Sequence, residues 1–156
     1  KVFGARVIAT SRSEEKLRRA VELGADEVLP ADDQVARSVR GLTGKRGVDV
    51  VVDSVGEATW MQSLKSATKG GRIVTCGATS GPNPAEEIRL IFWNQLSIVG
   101  STMGSREDWR QLVAAIDMHE LKPVIDTVLP LSEGRAAYER MEQSKQFAKI
   151  VLSVDG

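Results

Sequence analysis

Val48-Asp49-Val50-Val51-Val52-Asp53-Ser54-Val55, closed by Gly56, carries the strongest strand signal in this 156-residue chain. β-branched side chains suit a pleated strand, and an unbroken valine run suits one covered on both faces, as in a parallel sheet. Working outward, strand-length apolar runs alternate with helix-period segments. Upstream, residues 7–10 form a first run, and Ser13 is placed to cap a helix with Glu14 and Glu15 in its first turn and Gly24 at its end. Leu17, Ala20 and Val21 form its expected buried stripe. A short strand at 27–29 stops at Pro30, and a helix over 33–42 buries Val35, Val39 and Leu42. Downstream, a helix over 58–67 turns Trp60 and Leu64 inward, and Gly70-Gly71 returns the chain to a strand over 72–77. A flexible loop over 77–84, a helix over 86–94 and a buried strand over 96–100 follow. This alternation predicts an α/β fold with a doubly wound, mainly parallel sheet.

After Gly104 the pattern changes. Residues 106–121 form an amphipathic helix with Trp109, Leu112, Val113 and Ile116 on one face, followed by an extended segment over 123–131 between prolines. Ser132 is placed to cap a further helix to about 144, and a terminal strand runs over 149–154. The whole reads as a partial Rossmann-type sheet plus a C-terminal helix-strand-helix-strand segment.

Composition bounds the chemistry. Hydrophobic residues make up 42% and charged residues 27%, and 21 basic side chains balance 21 acidic ones, so no net field attracts nucleic acid or an anionic membrane. One cysteine excludes an internal disulfide, and one histidine leaves no cluster with zinc-ligand spacing. Cys76 reads as a buried apolar thiol. His119, near a helix end, reads as an exposed residue complementing the helix dipole. Trp60, Trp93 and Trp109 read as packing residues rather than base-stacking platforms. No apolar run approaches the roughly 20 residues of a spanning helix, and the start lacks signal-peptide features, so a reducing cytoplasm is the expected location.

The first strand ends at Ser11 and Arg12. In a doubly wound sheet a glycine loop follows strand one, and an acidic residue at the tip of strand two takes a ribose 2′-hydroxyl. No such loop precedes Arg6, so the chain reads as starting partway through a dinucleotide-binding fold, without its first strand. A hydroxyl beside a guanidinium can bond and neutralise a 2′-phosphate that a carboxylate would repel, a bias toward NADP over NAD. An ordinary polar turn accounts for the two residues equally well.

Three ordered segments, Ala9-Thr10-Ser11-Arg12-Ser13-Glu14-Glu15-Lys16-Leu17, the valine strand through Gly56, and Gly70-Gly71-Arg72-Ile73-Val74-Thr75-Cys76-Gly77, resemble the cofactor domain of the medium-chain dehydrogenase/reductase family. The likeness is greatest to its zinc-type alcohol dehydrogenases and quinone reductases. Leu23-Gly24-Ala25-Asp26-Glu27-Val28, residues 96–101, and the ending from Lys122 through Leu152 fit in the same order, so the resemblance covers essentially the whole chain. It implies that residues 1–104 are the remainder of a dinucleotide-binding domain and 105–156 a segment completing the catalytic domain of a longer parent. The missing strand is central in the order 3-2-1-4-5-6. Its two neighbours would then pair directly, recruit another chain, or leave backbone groups unsatisfied at about 1 to 3 kcal/mol each. A truncated or proteolysed chain is the expectation, with an alternative sheet left open.

The resemblance also implies site residues. Ser11 and Arg12 would meet the NADP 2′-phosphate, with Lys16 adding charge, although Lys16 also reads as a solvated helix residue. Pro30 and Ala31 stand where many relatives carry an aromatic residue supporting the adenosine phosphate. Ser54, Val55 and Gly56 would lie near the adenine ribose, with Asp53 a loop-start residue holding a local hydrogen bond. Gly77, Ala78 and Thr79, then Ser101, Thr102 and Met103, would approach the nicotinamide, where small residues admit a flat ring. Lys149 would reach the cofactor phosphates or stand as a plain edge charge. NADP(H) is favoured over NAD(H). Zinc is possible in the parent, but its cysteine and histidine ligands are not in this chain, and no catalytic residue is assigned.

The implied activity is hydride transfer to or from a carbonyl, alcohol or activated alkene, with a small-molecule substrate, no nucleic-acid or membrane partner, and no turnover by this chain alone. The alternatives are a non-catalytic scaffold that homodimerises by antiparallel pairing of the strand at 96–100, helped by Trp93 and the extended residues 124–129, and a methyltransferase-like α/β domain. The latter rests on Asp53 after the valine strand and is weakened by the absent glycine loop.

Overall fold

A computed structural model describes residues 1–154. The chain divides into two compact units, Lys1–Met103 and Gly104 onward.

In the first unit, β1 (Ile8–Ser11) leads into α1 (Glu14–Glu22). The Ser13 side chain accepts the Lys16 N–H, Glu14 and Glu15 face the positive helix end, and Arg19 lies in the last turn. Leu23 closes the helix, with the Gly24 N–H donating to the Val21 carbonyl and the Ala25 N–H to Ala20. This double closure needs a left-handed residue, and Gly24 has φ +96°. β2 (Glu27–Pro30) pairs parallel to β1 with Ile8 opposite Glu27 and Ser11 opposite Pro30. Leu17 and Ala20 are half-buried, but Val21 is exposed, so the expected stripe is covered only in part.

α2 (Val35–Leu42) starts two residues later than the sequence suggested and buries Ala36 and Val39. β3 (Val48–Asp53), β4 (Ala67–Thr75) and β5 (Ser97–Gly100) form a parallel three-stranded sheet in that order, with α3 (Trp60–Ser66) and α4 (Ile88–Trp93) in the connections. The core joins Trp60, Leu64, Ala67 and the fully buried Ile73, with Val51, Leu90, Ile91 and Leu96 packed against it.

One face of this sheet is covered. Val51, Ile73 and Ile98 align across the strands, and Val51 and Ile73 join the core beneath α3. The next row, Val52, Val74 and Val99, belongs to the opposite face because side chains alternate along a strand. Val50 is 50% exposed and Val52 71%. The two-sided burial expected of the valine run is therefore not met, and neither is burial of β5, all four of whose residues are exposed.

β1 and β3 do not pair directly. β1 is bonded only to β2, and β3 only to β4, so no ladder joins the two sheets among the described residues. Helices make the link instead. The Ala36 N–H donates to the Gln62 side chain, tying α2 to α3. The Arg40 guanidinium donates to the carbonyls of Lys45 and Arg46 on one side and of Lys65 and Ala67 on the other. A planar fork with five N–H groups suits several carbonyls at once, which an ammonium cannot match.

In the second unit, α5 (Arg106–Met118) opens with a capping box between Ser105 and Asp108 and is followed by His119 as C-cap. Its apolar face is not covered within the unit: Trp109, Leu112, Val113 and Ile116 are all exposed. β6 (Ile125–Pro130) and β7 (Lys149–Ser153) pair in parallel across α6 (Gly134–Glu142). The buried Asp126 carboxylate accepts from the Arg140 Nε at 2.7 Å and the Phe147 N–H at 3.1 Å, holding helix, strand and return loop together. Ser132 does not cap α6. A 3₁₀ turn over Leu131–Glu133 follows Pro130, so the helix begins later, after Glu133, without a side-chain cap.

Arg40→Ala is expected to destabilise the first unit by about 2 kcal/mol, because four carbonyls lose a donor together, and Arg40→Lys should restore less than half. Urea unfolding monitored by circular dichroism measures this; an unchanged midpoint for Arg40→Ala would contradict the linking role.

Candidate functional site

Register decides where the loops emerge. Asp53 lies opposite Thr75, and Thr75 opposite Gly100, so the three parallel strands end at one level. Ser54-Val55-Gly56, Gly77-Ala78-Thr79 and Ser101-Thr102-Met103 leave from this one edge, the carboxyl end, where open α/β sheets bind ligands. The Ser101 N–H donates to the Thr75 carbonyl at 2.9 Å, fastening the third loop to the tip of β4. Residues 77–79 and 101–103 are exposed.

Asp53 organises the first loop. Only 4% exposed, its carboxylate accepts from the Val55 N–H at 2.9 Å, the Gly56 N–H at 3.0 Å, the Thr59 hydroxyl through both oxygens and the Ser63 hydroxyl at 2.6 Å. The expected local bond is therefore one of several. Burial alone would raise the Asp53 pKa, but the Gly56 N–H, the Ser63 hydroxyl, the Val55 N–H and the Thr59 hydroxyl outweigh it and hold the carboxyl below its ordinary value. Thr59 and Ser63 are functional partners that the sequence marks only weakly. Their signal is two small hydroxyl residues four apart beside Trp60 and Leu64, where an apolar stripe would otherwise continue.

The second loop lies along the first. The Cys76 N–H donates to the Asp53 carbonyl, and the Thr79 N–H and hydroxyl point to the Ser54 carbonyl at 3.4 and 3.5 Å. Gly56 makes this approach possible: it has φ +85°, and a Cβ there would stand 2.7 Å from the Gly81 carbonyl oxygen and 3.0 Å from the Ala78 Cα. Cys76 is exposed rather than buried, because it lies one residue beyond the last paired position of β4. Trp60 is a core residue whose indole N–H donates to Glu86 at 3.2 Å, while Trp93 and Trp109 are exposed and do not pack in the core.

Ser11 and Arg12 lie at the carboxyl end of β1, in the other sheet of the same unit. The Ser11 Oγ accepts the Ser13 N–H at 3.2 Å, leaving its own proton available. Arg12 is exposed, and among the described residues it has no hydrogen-bond or ion-pair partner. Lys16 is half-buried in the first turn of α1. Lys149 opens β7 in the second unit and is exposed, its N–H bonded to the Val124 carbonyl. The first unit thus brings 54–56, 77–79 and 101–103 to one sheet edge, and Lys149 shares no element with them.

Among the described residues no three His, Cys, Asp or Glu side chains gather as a metal-holding group, so no step is assigned to a metal on these residues. A dinucleotide fits better: the exposed small residues Gly77, Ala78, Thr79, Ser101 and Thr102 at level strand tips offer backbone to a flat ring, and a hydroxyl and guanidinium at the β1 tip offer donors to phosphate oxygens.

Asp53→Ala is expected to destabilise the chain by roughly 3 kcal/mol by leaving two hydroxyls and two backbone N–H groups without their acceptor. Because the folded pKa is depressed, the ionised form is the stabilising one. Its contribution is complete above the ordinary value of about 4 and disappears as pH falls through the folded value. Urea midpoints from pH 6 down to pH 2 should therefore fall more steeply for the native chain than for Asp53→Ala (range of roughly the carboxylate titration); parallel profiles would refute this.

The family model for zinc-binding dehydrogenases matches residues 1–118. An NAD-dependent alcohol dehydrogenase from Sulfolobus acidocaldarius is 32% identical over 154 residues, covering 98% of this chain and 44% of that protein. A crystal structure of an NAD-dependent alcohol dehydrogenase superposes with a TM-score of 0.90 at 42% identity, over 98% of this chain and 45% of the other. A mycobacterial structure complexed with NADPH superposes with a TM-score of 0.84 at 30% identity, over 97% of this chain and 50% of the other. The chain thus spans about half the length of the relatives it matches. With the level strand tips, their loops and a family model spanning most of its length, the chain belongs to the zinc-binding dehydrogenase family.

Proposed function

We propose that this chain is the coenzyme-binding portion of an NADP(H)-dependent oxidoreductase of the alcohol dehydrogenase and quinone reductase type. The parent would transfer a hydride to or from a carbonyl, alcohol or activated alkene in the cytoplasm, with residues from about 105 onward completing its catalytic domain. The coenzyme supplies the hydride chemistry. Residues 54–56 bind near the adenine ribose, and 77–79 and 101–103 support the nicotinamide. The observation that carries the reading is the set of three strand tips ending level with their loops at one sheet edge, together with a β1 that ends in Ser11-Arg12 instead of a carboxylate.

NADP preference is supported by the available Ser11 proton and the unpartnered Arg12 guanidinium, and by the NADPH-bound mycobacterial neighbour; the Sulfolobus relative is named NAD-dependent. Glu14 and Glu15 in the first turn of α1 oppose a 2′-phosphate, which keeps the expected preference modest. Calorimetric titration should give NADPH about tenfold tighter binding than NADH, equalised by Arg12→Ala, since one charge-assisted contact is worth about 1.5 kcal/mol. Tighter NADH binding by the native chain would reject the NADP assignment. Among the described residues no His, Cys, Asp or Glu group gathers to hold a metal that would polarise a substrate oxygen, and NADPH oxidation with an aldehyde or quinone by this chain is expected to stay at the background rate.

A second reading, a homodimer through the strand at 96–100, is supported by the place of β5 at the end of its sheet and by its exposed residues, with Trp93 75% exposed nearby. An exposed apolar edge strand is a template for pairing with another chain. Sizing with light scattering should give a dimer that Val99→Lys converts to monomer; a monomeric native chain would eliminate this reading.

A further inference from the structure

The loop over 77–81 and the turn over 54–58 are joined mainly through backbone, with one side chain of the loop acting on both sides of the junction. The Ser80 hydroxyl donates to the Val55 carbonyl at 2.7 Å and accepts the Ala58 N–H at 2.9 Å. The Ser80 N–H donates to the same Val55 carbonyl at 2.8 Å. Just beyond, the Glu57 N–H donates to the Gly81 carbonyl at 3.1 Å, and Gly56 and Gly81 pair as an isolated parallel bridge. Gly81 has φ +140°, a conformation that residues with a Cβ rarely adopt, so glycines on both sides permit the approach that Ser80 then fastens. The other contact between the loops, from Thr79 to the Ser54 carbonyl, is long at 3.4 to 3.5 Å.

We propose that Ser80 is a positioning residue that clamps the loop carrying Gly77, Ala78 and Thr79 onto the turn carrying Ser54, Val55 and Gly56, presenting both to the coenzyme as one preformed surface. A hydroxyl is required because the same atom must donate to one backbone group and accept from another. This inference rests on the coenzyme-binding reading above. Its effect is preorganisation: a loop already seated on its neighbour has less freedom to lose when a ligand spans both.

The test compares the whole chain with Ser80→Ala and with Ser80→Thr, which keeps the hydroxyl. NADPH is the spanning ligand, and adenosine 2′,5′-bisphosphate probes the adenine end alone. Ser80→Ala is expected to weaken NADPH binding on the order of tenfold, leave the bisphosphate within roughly twofold, and be rescued by Ser80→Thr. Without ligand, hydrogen exchange at Ala58 and at 79–81 should accelerate in Ser80→Ala while Leu64 and Ile73 keep native protection, a pattern general destabilisation would not produce. Native NADPH affinity in Ser80→Ala, failed rescue by Ser80→Thr, or equal weakening of both ligands overturns the clamp. A native chain that binds neither dinucleotide overturns the proposed function and the coenzyme role of Ser80 together, while the exchange comparison separately reports whether the two loops are fastened.

Discussion

One buried carboxylate holds the candidate site in shape. Asp53 ends β3 and accepts from two backbone N–H groups of the following turn, the hydroxyl of Thr59 at the N-cap of α3 and that of Ser63 within it. Strand, turn and helix therefore meet at one charge whose hydrogen bonds outweigh the cost of burying it. The turn it fixes is the surface on which the next loop lies. Without this anchor the tips of β3 and β4 would be related only by their ladder, the Ser80 contacts and the backbone bonds from Cys76, Glu57 and Thr79.

A second constraint comes from the sheets. β1–β2 and β3–β4–β5 are separate ladders, connected by α2, α3 and the Arg40 guanidinium rather than by strand pairing. Strand pairing stays within each sheet, and the outer edges of β1 and β3 have no strand partner among the described residues. The apolar content of the valine run has the same origin. Val51 faces α3, whereas Val50 and Val52 face a side that no described element covers. This is what a strand built for two-sided burial looks like with one cover.

Much of this was legible in advance because it depends on local chemistry. Ser13, Glu14, Glu15 and Gly24 mark the ends of α1 through capping, dipole and left-handed closure, all set within a few residues. The alternation of strands and helices announced the parallel sheet. What depended on neighbours distant in the chain was not legible. Cys76 reads as buried by type yet lies past the paired end of β4, and Ser132 reads as a cap yet falls in a 3₁₀ turn imposed by the exit from β6. Ser80 carried no signal, because its role exists only where two loops separated by more than 20 residues come together.

The sequence by itself determined the class of fold, the order of its elements and the residue types at each strand tip, since periodicity, capping and turn chemistry act over short distances. Tertiary structure alone decided which tips end level, which carboxylate anchors them, and which strands pair. Those outcomes depend on register and on groups brought together across long stretches of chain, where the hydrogen-bonding partner of a side chain is a property of the folded neighbourhood and not of the residue itself.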